Sequence, residues 1–151
     1  IVDGEGIVLR SSQTGAPSLI FDDDDGFIKF GSYSPWTLET WNTASLGNGW
    51  NTTGVGAFDP PAYRKMPDGT VRLRGVTVAG TKTDGTVMFT LPTGYRPARR
   101  KHIVVSGDVA GQTPVVQVFG LSDGGNAGQV QIYRAGTAGA VGFDGVTFEL
   151  I

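Results

Sequence analysis

Residues 67–79, Pro67-Asp68-Gly69-Thr70-Val71-Arg72-Leu73-Arg74-Gly75-Val76-Thr77-Val78-Ala79, decide how this chain folds. Val71 and Leu73 alternate with Arg72 and Arg74, the period-2 pattern of a strand with one face buried and one in water. Pro67-Asp68-Gly69 ahead of it supplies residues suited to a tight turn, so the segment reads as a hairpin turn feeding a strand. At Gly75 the apolar parity slips from Val71 and Leu73 to Val76 and Val78, which predicts a β-bulge there.

The same pattern recurs on the C-terminal side. Val87, Phe89 and Leu91 alternate with Met88 and Thr90; Val130 and Ile132 with Gln129, Gln131 and Tyr133; Phe148 and Leu150 with Thr147 and Glu149. Turn signals separate these runs: Thr83-Asp84-Gly85, Ser122-Asp123-Gly124-Gly125-Asn126 and Asp144-Gly145. Strands are predicted at 62–66, 70–79, 86–91, 102–107, 115–121, 128–134, 139–143 and 146–151. No window carries helical apolar spacing free of Gly and Pro. Eight short antiparallel strands in roughly 100 residues predict a β-sandwich, jelly-roll-like in character.

The first 47 residues differ. Their apolar bursts (7–9, 19–21, 27–30) are short and broken by Ser, Thr, Gly and Asp, too sparse to close a core alone. The expected organisation is therefore a β-rich fibre shaft or connector over 1–47, intertwined in a trimer that shares one core, and a sandwich head over 48–151. Residues 47–61, rich in Gly, Asn and Thr, lead into that head.

Composition agrees with short strands and tight turns: 24 Gly and 8 Pro in 151 residues, 17% charged and 39% hydrophobic. The apolar share is too high for a disordered chain. There is no Cys, which excludes disulfides and thiolate metal sites and favours assembly in a reducing cytosol. The first residue, Ile1, is not an initiator Met, so a piece of something longer is expected. Asp3 and Glu5 stand where a signal peptide would be basic. No run approaches the roughly 20 apolar residues of a membrane span, so a soluble chain without membrane insertion is expected.

Net charge is −2 but is laid out in blocks. Residues 1–61 carry eight acids and two bases, 62–102 nine bases and two acids, and 103–151 one base and four acids. Such blocks suit packing between copies of the chain, or an anionic ligand on the basic block. Nucleic acid is a poor partner, because the chain is slightly acidic overall and its bases lack interleaved stacking aromatics.

Several short motifs from Gly49 onward resemble the C-terminal head domains of bacteriophage tail fibre and minor tail proteins. They are Asn48-Gly49-Trp50, Pro61-Ala62-Tyr63-Arg64-Lys65, Gly69-Thr70-Val71-Arg72-Leu73-Arg74-Gly75, Phe89-Thr90-Leu91-Pro92-Thr93-Gly94-Tyr95-Arg96-Pro97 and the closing Asp144-Gly145-Val146-Thr147-Phe148. The resemblance covers about 100 of the 151 residues. It implies a sandwich head, usually a homotrimer, that binds a glycan or protein of the host surface. The motifs themselves read as architecture. Pro92 stops a strand, Gly94 permits a turn, Pro97 stiffens the exit, and Tyr95 packs at the sandwich end with its hydroxyl on water or a carbonyl.

Candidate chemistry is sparse. Asp22-Asp23-Asp24-Asp25-Gly26 has the carboxylates for Ca²⁺ but no Glu at the twelfth loop position, where Tyr33 stands. A solvated turn is the simpler reading. His102 is the single histidine and follows Arg99, Arg100 and Lys101, which disfavour an imidazolium. It reads as a surface residue at a strand start. No Gly-x-Ser-x-Gly elbow is present. The carboxylates Asp59, Asp68, Asp84, Asp108, Asp123, Asp144 and Glu149 mostly sit beside Gly in turns, and no glycosidase pair stands out. No enzyme activity, cofactor or metal is expected.

Binding has more to draw on. Trp36, Trp41 and Trp50, with Tyr33, lie among Gly, Asn and Thr, where rings can stack on sugars. The competing reading puts each Trp in a core or an intersubunit seam, most firmly Trp50. Arg96, Arg99, Arg100 and Lys101 can meet a phosphate-rich surface polymer or, alternatively, a solvated or salt-bridged contact. The polar loop 122–128, with Asp123 and Asn126, is placed as recognition loops often are. The candidate receptor contacts are thus Trp36, Trp41, Arg96, Arg99, Arg100, Asp123 and Asn126. The expected protein is the tip of a phage tail fibre in the virion, assembled in the host cytoplasm. It would be joined to other tail proteins through a preceding segment and attached to a surface glycan or protein receptor. A purely structural tail or baseplate component and a polysaccharide-cleaving tailspike fragment are the alternatives.

Overall fold

In the computed structural model the backbone is described for residues 7–10, 17–22 and 28–30, and backbone with side chains for 39–54 and 56–150. Contacts divide the chain into two units, Ile1–Leu38 and Glu39–Ile151. In the first unit, β1 (Ile7–Arg10), β2 (Pro17–Asp22) and β3 (Ile28–Phe30) form an antiparallel sheet in sequence order. Ile7 pairs with Ile20, and Asp22 with Ile28. The acidic run begins at the end of β2; residues 23–27 and Trp36 lie outside the described residues.

The second unit is an antiparallel β-sandwich built on the hairpin that the opening stretch predicts. β5 (Ala62–Lys65) and β6 (Thr70–Arg74) pair with Tyr63 opposite Leu73 and Arg64 opposite Arg72. Asp68 caps the turn: its carboxylate accepts from the Thr70 N–H at 2.9 Å and the Thr70 hydroxyl at 2.7 Å. β4 (Asn42–Thr43) joins the outer edge of β5, and β14 (Thr147–Glu149) pairs with β6, giving the order β14-β6-β5-β4. The facing sheet has the order β8-β12-β11-β9, from β8 (Thr86–Thr90), β9 (Lys101–Val104), β11 (Val115–Val118) and β12 (Gln129–Tyr133). β7 (Val76–Val78), β10 (Ser106–Gly107) and β13 (Ala140–Gly142) make a three-stranded sheet in the order β10-β13-β7.

One hydrophobic cluster joins these layers. Val71, Leu73, Val146 and Phe148 come from the first sheet and its flank; Met88, Phe89, Val116, Val118, Val130 and Ile132 from the second; Val141 and Phe143 from the third. Phe89 and Phe143 meet edge to face, with centroids 5.5 Å apart. The alternation Val71-in, Arg72-out, Leu73-in holds as predicted.

Three local features depart from the sequence reading. Gly75 is not a bulge within one strand: it is where the chain leaves one sheet for another, from β6 to β7. Its φ of 92° lies in the left-handed region, and an added Cβ would run into the backbone of Asp59 and Pro60. Met88, expected on the polar face, is fully buried. The β8–β12 register shifts between Val130 and Gln131, so Val130 opposes Phe89 while Gln131 opposes Val87, and Met88 is the extra residue turned inward. Residues 39–47, assigned to the shaft segment, supply β4 and bury Ala44, with Leu46 packed against the core. The second unit therefore begins at Glu39, where the sandwich was expected to begin at Asn48, because β4 supplies the edge that β5 pairs with.

Trp50 is core, 3% exposed, as the more conservative reading had it. Its ring lies against Gly80, where an added Cβ would collide with the indole. Asn48 beside it donates from its amide to the Val87 carbonyl at 2.8 Å, and the Thr81 N–H donates to the Asn48 carbonyl at 3.1 Å. The Asn48-Gly49-Trp50 motif thus pins the entry segment to β8 and to the turn after β7.

Candidate functional site

Strand register builds a basic platform on the outer face of the β14-β6-β5-β4 sheet. Arg64 on β5 stands directly opposite Arg72 on β6, which in turn stands opposite Thr147 on β14. Arg74 belongs to the same face, two residues further along β6. Trp41, half-buried just ahead of β4, gathers two of these arginines. The Arg64 guanidinium carbon lies 4.3 Å from the indole centroid and that of Arg74 4.4 Å. A cleft of about 360 Å³ opens beside them, lined by Trp41, Arg72, Arg74, Gly145 and Thr147 among others.

The platform is short of counter-charge. Arg74 forms an ion pair with Asp59 at 3.3 Å, and both side chains are substantially exposed. Among the described residues, Arg64 and Arg72 form no ion pair. The Nε atoms of Arg64 and Arg74 are buried without a hydrogen-bond partner. Like charges placed directly across two strands are destabilising, and an unpaired buried donor adds to that cost. Cation–π contact with Trp41 offsets part of it.

A second cluster sits at the tip that carries Arg96 to Asn126. Arg96 donates from Nε to the Leu91 carbonyl at 2.8 Å, and its side chain lies where a Cβ on Gly128 would be. Arg100 lies over the Phe119 ring at 3.8 Å and reaches the Asp123 carboxylate at 2.6 Å. Asp123 also accepts from the Gly120 N–H at 2.8 Å, and the polar loop expected here holds a 3₁₀ turn, Leu121–Asn126. The Arg100 hydrogen bond holds the Asp123 carboxyl below its ordinary value, with burial opposing it. Arg99 and Asn126 are exposed, and Asn126 accepts from Gln129 at 3.2 Å.

Of the residues singled out from the sequence, the structure therefore brings Arg100 and Asp123 together, commits Arg96 to the backbone and places Trp41 in the other cluster. From the sequence, Arg64, Arg72 and Arg74 read only as the solvent face of a hairpin. The signal is present, in three arginines that share one face around a turn whose length sets their register.

A third polar group locks the sandwich end. The Tyr95 hydroxyl donates to the Glu39 carboxylate, not to the water or carbonyl expected. Glu39 also accepts from the Lys65 N–H at 2.9 Å and the Asn42 amide at 2.8 Å. Tyr95 stacks edge-on against Tyr63, with centroids 4.9 Å apart. The Glu39 hydrogen bond pushes the Tyr95 phenol up to about 12. Burial pulls the Glu39 carboxyl up, but the hydrogen bonds from Tyr95, Lys65 and Asn42 outweigh it and leave it below its ordinary value. His102 is exposed at the start of β9, 3.0 Å from the Gln117 amide. Among the described residues no group of His, Asp and Glu is arranged to hold a metal, and no helix is long and apolar enough to cross a membrane.

The fold defines an all-β antiparallel sandwich that carries an arginine–tryptophan platform on one sheet. No protein-family model matches the chain, and no curated protein does. Among solved structures it is similar to the crystal structure of the receptor binding protein (gp15) of Listeria phage PSA, with a TM-score of 0.58 and 18% sequence identity. The likeness takes in 76% of this chain and 66% of that one, and at this identity it is a likeness of fold.

Proposed function

We propose that this chain is a host-attachment module of a bacteriophage tail, a receptor-binding head that grips the bacterial surface without altering it. The observation that supports the reading is the shared fold: the neighbour with the same sandwich over 76% of this chain is itself a phage receptor binding protein. The tail-fibre motifs of the sequence point the same way and fall on structural joints of the head. Asn48-Gly49-Trp50 pins the entry, the hairpin carries Arg64 and Arg72, and Tyr95 closes the sandwich end. A virion tail location and a host-surface receptor, glycan or protein, belong to this reading. So do a homotrimer and a link to other tail proteins through a preceding segment. Binding without catalysis is preferred because several described carboxylates are engaged in turns and backbone caps, as at Asp68, Asp108 and Asp123.

Fluorescently labelled full chain, incubated with a panel of Gram-positive and Gram-negative cells that includes Listeria, tests it. Saturable adsorption to particular strains, with no sugar released from their purified polysaccharides, is the expected result. Absence of adsorption to every strain would favour a structural tail component, and release of reducing sugar would favour a depolymerase.

A further inference from the structure

We propose that the cleft beside Trp41 is an anion site, in which Arg72 and Arg74, backed by Arg64, take a phosphodiester or carboxylate group of a repeating surface polymer. The proposal rests on the attachment reading above and names the chemistry of the ligand and the place where it sits.

The comparison of two arginine–aromatic pairs in this chain carries the inference. At the tip, Arg100 lies over Phe119 and its charge is answered within the chain by Asp123 at 2.6 Å. At the platform, Trp41 holds two guanidiniums and a third stands across the strand from one of them, yet among the described residues only Arg74 has a carboxylate within ion-pair distance, and Arg72 feels Asp68 only at longer range. That carboxylate, Asp59, is 58% exposed and 3.3 Å away, a weak partner that a ligand anion can replace. Cross-strand like charges and two Nε groups without a hydrogen-bond partner among the described residues are costs that the Trp41 contacts offset only in part. An anion in the cleft, which Arg72 and Arg74 line, would offset the repulsion among the three guanidiniums.

The geometry also selects against a neutral sugar as the main contact. Trp41 is already engaged by two cations, so its ring is a support for guanidiniums rather than a free stacking plate. Arginine prefers anions that present two oxygens in one plane, which phosphodiesters and carboxylates both do. Thr147, on the Arg72 rung, adds a hydroxyl to the cleft wall. A polymer with a regularly spaced charge fits an open cleft on a sheet face better than a single small anion does.

The test uses the full chain and three polymers: poly(glycerol phosphate), polygalacturonate and uncharged dextran. Calorimetric titration of wild type should show salt-dependent binding to one or both anionic polymers and none to dextran. The two anionic arms distinguish a phosphate from a carboxylate ligand. The double variant Arg72→Gln/Arg74→Gln should weaken binding by about tenfold or more. The control Arg134→Gln, on the exposed turn after β12, matches the single Arg72→Gln variant in charge and should stay within about twofold of wild type. Arg72 is exposed on the strand surface, so a single Arg72→Gln variant with an unchanged melting temperature guards against misfolding. Equal loss in the control and the platform variants, or binding of dextran as tight as of the polyanions, would overturn the proposal. Cell adsorption separates it from the broader reading. If wild type and platform variant adsorb to cells equally, the site fails while attachment stands. If neither adsorbs but polymer binding still depends on Arg72 and Arg74, attachment fails while the site stands.

Discussion

Phe89 shows how much one side chain decides. It is 4% exposed, packs edge to face on Phe143 and lies opposite Val130 in the ladder. Replacing it with Ala removes its transfer energy and leaves a cavity, so Phe89→Ala should cost about 3–5 kcal/mol in urea unfolding. A loss below about 1 kcal/mol would mean that the ring is not in the core. The Glu39–Tyr95 contact makes a different prediction, in pH. A phenol raised to about 12 in the folded state stabilises fully below its ordinary value of 10. That contribution fades as pH rises from 10 through about 12. A carboxyl lowered from 4.5 stabilises above that value and loses the contribution as pH falls through its folded value. Glu39→Gln should therefore flatten the dependence of melting temperature on pH in both windows. It should also return one tyrosine of the ultraviolet titration to ordinary ionisation; an unchanged titration would show that the contact is absent in solution.

At the scale of elements the decisive joint is Gly75, where β6 ends and β7 begins in another sheet. The Gly75 N–H donates to the Asp144 carboxylate at 2.9 Å, and its carbonyl accepts from Phe143 at 2.8 Å, so the joint also fixes the turn between β13 and β14. Gly75→Ala meets both an unfavourable φ and the Asp59–Pro60 backbone. Gly69→Ala, at a φ of 82° with open space around it, meets the φ penalty alone. The first should be the more destabilising by roughly 1–3 kcal/mol, measured by parallel denaturant titrations. Equal costs would mean that the backbone near Pro60 yields freely. The tip turn behaves as an element too, since Arg100 and Asp123 fasten β9 to residues 120–126.

For the molecule as a whole, the boundary of the sandwich unit can be measured. Residues 39–151 carry β4, Ala44 and the Glu39 lock, and all three are lost when the chain starts at residue 48. The fragment 39–151 should melt cooperatively and at a higher temperature than 48–151. Equal melting would place the boundary where the sequence first suggested it. Native mass spectrometry of the full chain tests the homotrimer directly, and a purely monomeric mass would remove the shared-core reading of 1–47.

Sequence alone determined that this protein is an antiparallel all-β sandwich. Strand alternation and turn chemistry are carried by neighbouring residues, so Val71-Arg72-Leu73-Arg74 and its seven counterparts could be read without knowing what they touch. It also favoured a structural Trp50 and a Tyr95 that packs at the sandwich end, since the motifs around them are made of turn residues. Tertiary structure decided everything that depends on pairing across distance. Only the register sets Arg64 against Arg72, only the fold carries Trp41 onto Arg64 and Arg74, and only sheet order turns a suspected bulge at Gly75 into a crossing between sheets. The physical reason is that alternation specifies which face a side chain occupies, whereas a binding platform depends on which strands become neighbours. That choice is made by the packing of the whole core.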